Sequence, residues 1–176
     1  MHCLSWLSSN GTAAIVCFPG IMYRGASEKK IRKYLIDNNF VDCVIQLPSN
    51  LFFGTTITTC IMVLKKCKTD NKTLFIDASK EFIKTASNNK LSRENMNNII
   101  GCFTKRNEIK YFSHLASYEE VVENEYNLSV STYVEVEDTK EKIDIVKLNE
   151  EIKRIVARED ALKKAIDEMI LKIEVQ

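Results

Sequence analysis

At 176 residues, 45% of them hydrophobic and 28% charged, the chain has the make-up of one soluble globular domain with an appendage. Lysine and arginine number 25 against 24 for aspartate and glutamate, so the formal net charge of +1 gives no field with which to hold nucleic acid unaided. No apolar run is long enough to span a bilayer, which excludes a membrane-spanning protein built on helices. The six cysteines at 3, 17, 43, 60, 67 and 102 form no CxxC pair, and several stand in strand-like apolar runs. They are expected to be reduced and buried, as in a cytoplasmic protein.

The first residues, Met1 to Trp6, lack the basic region and long apolar stretch of a signal peptide and read as the end of a helix, stopped by Ser8-Ser9-Asn10-Gly11. Thr12 to Phe18 is almost continuously apolar, the pattern of a strand covered on both faces, and Pro19-Gly20 ends it. Ser27 is placed to cap a helix over Glu28 to Asn38, whose Ile31, Tyr34 and Leu35 share a face. Val41 to Leu47 then reads as a second strand, parallel to the first across this helical crossover. Pro48-Ser49-Asn50 stops it and Leu51-Phe52-Phe53-Gly54 forms an aromatic-rich turn, in which Gly54 can take a positive φ. Thr58 to Leu64 returns antiparallel to its predecessor, because the connection is too short for a helix. Two adjacent phenylalanines in such a turn are, on general grounds, more often a lid on the core than a binding platform.

Beyond this, Thr73 to Ala78 gives a further short strand, and Ser79 to Lys90 reads as a charged, asparagine-rich loop. A helix opens at Ser92 and carries Met96, Ile99, Ile100 and Phe103, a smaller one starts at the capping pattern of Ser117 to Glu120, and Tyr126 to Ser131 reads as a last extended segment. From Ile145, the residues Leu148, Ile152, Ile155, Leu162, Ile166, Met169 and Ile173 continue a three-four alternation interrupted only by Glu159. This predicts a long helix that pairs with a partner helix in preference to folding back on its own domain.

No enzyme site is visible. His2 and His114 stand apart, with no nucleophile, zinc set or carboxylate constellation that the sequence joins to them. The five glycines at 11, 20, 25, 54 and 101 are isolated, so no nucleotide-binding loop is present. Asp77 at a strand end is better read as a turn residue than as a functional carboxylate.

The chain resembles the C-terminal part of the methyltransferase (M) subunit of type I restriction-modification systems, adenine-N6 DNA methyltransferases. The resemblance is carried by Gly11 to Val16 with Pro19-Gly20, Arg24-Gly25 followed by Lys30 to Leu35, and Val44 to Pro48. It continues in Asn50 to Thr55 with Thr59-Cys60-Ile61, Leu74 to Ser79, and Tyr126 to Ser129. It implies an α/β fold, the C-terminal portion of a Rossmann-like class I methyltransferase sheet, mixed and ending in an antiparallel hairpin, plus a long C-terminal helix. Residues 1–133 are then the C-terminal half of the methyltransferase-like domain, and 134–176 a linker and coiled-coil-like tail. The resemblance further implies S-adenosylmethionine as the cofactor of the full-length family. Neither the glycine loop that binds it nor the Asn/Asp-Pro-Pro-aromatic catalytic loop exists in a chain whose only prolines are Pro19 and Pro48. This chain alone is therefore expected to bind no cofactor and to be inactive. Carried over by resemblance, Phe52, Phe53, Gly54 and Thr55 belong to the pocket of the extruded target base. Thr56 stands where glycine is common, which puts the turn's conformation in question. The implied partners are the specificity (S) subunit, held by the tail, the restriction (R) subunit, and DNA through the complex, with self-association of the tail as an open alternative. A reading from another class is a non-catalytic module whose tail holds a specificity-type subunit.

Overall fold

A computed structural model describes residues 1–137 and 145–174, the side chains of 147, 168 and 171–174 excepted. It divides into two units, Met1–Glu137 and Asp138–Gln176, taken separately below.

The first unit is built on a five-stranded sheet in the order β1-β3-β2-β4-β7, from Thr12–Cys17 (β1), Val41–Gln46 (β2), Cys60–Lys65 (β3), Thr73–Asp77 (β4) and Ser113–Ala116 (β7). β3 runs antiparallel to both β1 and β2, so the expected parallel relation of β1 and β2 holds, with β3 inserted between them. β2 and β4 are parallel neighbours, and β7, which lacked an apolar run long enough to announce it, closes the far side antiparallel to β4. Successive residues of β2 and β4 face opposite ways, as the pleat demands. Val44 and Phe75 join Met62, Leu35 and Tyr133 in one core, while Cys43, Ile45, Leu74 and Ile76 join Ile99 and Cys102 in the other.

The first face is covered by α3 (Ala26–Asp37) with α1 (His2–Trp6), α2 (Gly20–Tyr23), α5 (Tyr118–Glu123) and α6 (Val130–Tyr133), the second by α4 (Arg93–Lys105). α3 starts two residues earlier than expected. Its N-cap is Gly25, which supplies no side chain, and Ser27 lies inside the first turn. α4 and α5 begin as their sequences dictate: Ser92 and Asn95 form a capping box, and the Ser117 hydroxyl accepts from the Glu120 N–H at 3.2 Å. Arg32 is buried on α3 because its guanidinium donates to the carbonyls of Tyr126 and Ile21, each at 2.8 Å, replacing the water it gives up.

Three expectations need correction. Tyr126 to Ser131 is not extended: Glu125 and Tyr126 take positive φ, the Asn127 side chain accepts from the Ser129 N–H at 2.9 Å, and α6 follows at once. The Ser79 to Lys90 stretch contains a small antiparallel hairpin, β5 (Ile83–Lys84) with β6 (Asn89–Lys90). Of the six free cysteines, Cys43, Cys60 and Cys102 are buried as expected, but Cys3 and Cys67 are exposed.

The second unit is described as one helix, α7, Ile145–Glu174. Residues 138–144, in the expected linker, lie outside the described residues. No described helix is long and apolar enough to cross a membrane.

Candidate functional site

The Leu51 to Thr56 turn leaves β2 and enters β3, and the β5–β6 hairpin holds it in shape. The Asn89 amide side chain donates to the Ser49 carbonyl at 2.8 Å, the Asn50 amide to the Ser87 carbonyl at 3.2 Å, and the Asn88 amide to the Phe52 carbonyl at 3.4 Å. The backbone adds Asn89 N–H to the Asn50 carbonyl at 2.9 Å. The asparagines that marked this stretch as a loop are thus the residues that brace the turn. Left-handed backbone falls on Asn50 and Gly54, at φ 53° and 78°, residues suited to it. Thr55 and Thr56 keep negative φ, so threonine at 56 is accommodated without strain.

The two phenylalanines part company. Phe53 is fully exposed, and Phe52, at 40% exposure, turns toward the end of β1. Neither is a lid on the core. Phe52 and Thr55 line an apolar cleft of about 200 Å³ with Val16, Cys17, Phe18 and Thr59. Val16 and Phe18 are more than half exposed. Sequence reasoning had placed them in a strand covered on both faces. The difference is one of faces: Ile15 and Cys17 pack on the first core, whereas Val16 and Phe18 point to the other face, which is open here; β1 is also the edge of the sheet, since β3 pairs with one side and among the described residues no strand pairs with the other. A long apolar edge is a surface that folded proteins ordinarily cover.

Thr59 also lines this cleft, and its hydroxyl is buried beneath it. The residue is 6% exposed, its backbone carbonyl accepts from the Leu47 N–H at 2.9 Å, and its hydroxyl has no partner. A buried hydroxyl left unmet costs roughly 1–3 kcal/mol. The cleft can receive a flat apolar or aromatic group against Phe52. Thr59 entered the resemblance only as part of a strand.

Two other polar groups are structural. The Asp77 carboxylate accepts from the Ser79 N–H at 2.9 Å, as a turn residue does. His114 lies between two carboxylates that sequence spacing did not reveal, Nδ1 at 2.6 Å from Glu108 and Nε2 at 2.9 Å from Glu120. Burial pulls its pKa down, but the hydrogen bonds and charges of Glu120 and Glu108 outweigh this and raise it above the ordinary histidine value.

For S-adenosylmethionine the residues do not fit. Gly54 alone of the five glycines takes positive φ, and Gly11 and Gly20 are crowded by Leu7 and Arg24 side chains, so no glycine-rich cradle exists among the described residues. On α7, Leu148, Ile152, Ile155, Leu162, Ile166 and Met169 are all exposed. The side chain of Ile173 lies outside the described residues. Val156 and Ile170 are exposed too, which broadens the apolar face beyond the seam read from the sequence.

Known proteins bear on this geometry. The chain is 46% identical over 176 residues to the Type I restriction enzyme MpnII methylase subunit of Mycoplasma pneumoniae, covering 99% of this chain and 32% of that protein. To the MjaVII methylase subunit of Methanocaldococcus jannaschii it is 38% identical, over 91% of this chain and 28% of that one. A solved type I restriction-modification methyltransferase subunit from Streptococcus thermophilus superposes with a TM-score of 0.75 at 43% identity, over 76% of this chain and 29% of that one. The chain thus spans about a third of the length of the curated relatives it matches. Residues 1–142 match the family described as N-6 DNA Methylase, and with that match over most of its length the chain belongs to this family.

Proposed function

We propose that this chain is the C-terminal portion of the methyltransferase subunit of a type I restriction-modification system, which transfers a methyl group from S-adenosylmethionine to N6 of adenine in DNA. The observation that carries this reading is the open apolar edge of β1, with Val16 and Phe18 exposed beside Phe52. Further strands continuing from that edge would complete a Rossmann-like class I sheet, bringing the cofactor and catalytic loops that residues 1–133 lack.

In this reading the cleft is one wall of the pocket for the extruded adenine. Phe52 offers a stacking face, Phe53 a second aromatic at the rim, and Gly54 and Thr55 the turn that carries them. A base taken out of the duplex loses stacking worth a few kcal/mol, which an aromatic wall helps to restore. Residues 134–176 serve as linker and tail, with α7 holding the specificity subunit that brings the complex and the restriction subunit to DNA. The protein acts in the cytoplasm, and the chain by itself transfers no methyl group.

Co-expression of this chain with the remainder of the Mycoplasma pneumoniae subunit tests the reading. A one-to-one complex is expected, methylating adenine N6 once a specificity subunit is supplied, and Phe18→Asp in the β1 margin should abolish assembly. Two folded pieces that fail to associate would contradict it.

A further inference from the structure

In the heptad of α7, the a positions are Ile145, Ile152, Glu159, Ile166 and Ile173, and the d positions Leu148, Ile155, Leu162 and Met169. Every layer but one is apolar. Glu159 occupies the middle a position, with fourteen helical residues before it and fifteen after. Beside it, Arg158 holds a g position and Lys163 an e position, and the Lys163 ammonium pairs with the Glu159 carboxylate at 2.8 Å. The central layer is thus an anion in the seam bounded by two cations. A carboxylate closed into an apolar seam is costly unless the facing helix also meets it, and a single polar a position is a known means of fixing register and partner.

This pattern is unfavourable to a second copy of the same helix. In a parallel pair in register, the two Glu159 carboxylates meet in the seam and Arg158 of each helix faces Lys163 of the other. In an antiparallel pair with full overlap a positions pack on d positions, so each Glu159 carboxylate is set against an aliphatic Leu162 or Ile155 layer of the other helix, with the second carboxylate in the next layer. Like charges at close range destabilise pairing, and more strongly as water is excluded.

We propose that α7 is built for a heterologous helix of reversed charge at this layer, with lysine or arginine in the core position facing Glu159 and acidic residues at the flanks facing Arg158 and Lys163. This rests on the reading of α7 as a partner-binding helix and adds its selectivity. Glu159 sets the register, because a slip of one heptad would bury it against an aliphatic layer, and it disfavours self-pairing.

The test uses the whole chain and three synthetic helices with isoleucine at a and leucine at d, differing only at the central layer. One carries Lys at the central a position with Glu at its flanks, one the reverse, and one Ile with Gln flanks. Titration calorimetry should show the Lys-centred helix binding at least tenfold tighter than the Glu-centred one. The chain with Glu159→Lys should lose or invert that preference, and Glu159→Ile should self-associate at lower concentration than the parent in sedimentation. If all three helices bind the parent equally, or Glu159→Lys leaves the ranking unchanged, the inference fails while the reading of α7 as a pairing helix stands. If none binds, that reading fails and takes the inference with it.

Discussion

At the scale of residues, the turn after β2 shows how much depends on a few side chains. Gly54 sits at φ 78° with nothing within 4 Å of a would-be Cβ, so substitution meets conformational strain and no clash. Gly54→Ala should therefore lower stability by about 1 kcal/mol, read as a shift in the denaturation midpoint. A loss several times larger would mean that the glycine is packed against something. Phe52 and Phe53 were legible as a pair but not as individuals. Their assignment to the base pocket came from the resemblance, whereas the contrast between a half-buried Phe52 and a fully exposed Phe53 depends on asparagines 30 to 40 residues away, which no local pattern connects to them. Thr59 was illegible for a similar reason, since whether a strand threonine finds a partner is decided by its neighbours in space.

At the scale of elements, periodicity and capping residues predicted α3, α4, α5, β2, β3 and β4 closely, because each has an apolar face or a cap written into a few consecutive residues. β7 escaped because His114 and Ser113 interrupt its apolar content, and what holds it is lateral: the ladder to β4 and the bridge from His114 to Glu108 and Glu120. Both ring nitrogens facing carboxylates favours the protonated imidazole, and the Tyr133 ring stacked at 6.5 Å adds no opposing charge. The folded-state pKa is raised above the unfolded value of about 6.5. The stabilisation is therefore complete below about pH 6.5 and is lost as pH rises through the higher folded-state value. A thermal-midpoint series should fall across that window for the parent chain and be flatter for His114→Gln; equal slopes would remove the bridge from the account. α7 was the element most plainly written in the sequence, and the breadth of its apolar face, through Val156 and Ile170, was the part that a seam-only reading missed. Deleting residues 145–176 should leave the circular dichroism melt of the sheet unit within about 2 °C of the parent while abolishing capture of a specificity subunit. Normal capture by the truncated chain would contradict the assignment of the tail.

At the scale of the whole molecule, the strand order was only half legible. Short connections fixed β3 as antiparallel to β2, and the crossover through α3 fixed β1 as parallel to β2, but nothing local said that β3 would slip between them. That insertion leaves β1 at the margin, with Val16 and Phe18 on an open face where a strand covered on both faces was expected. The proposal that further strands dock on β1 explains two otherwise separate oddities: the apolar edge and the open cleft at Phe52. It also fits a chain that belongs to a methyltransferase family and has no glycine-rich cradle among the described residues. Calorimetric titration of S-adenosylmethionine into the chain, and into its complex with the remainder of the Mycoplasma pneumoniae subunit, tests this most directly. The account predicts no binding to the chain and saturable binding to the complex; micromolar binding to the chain alone would contradict it.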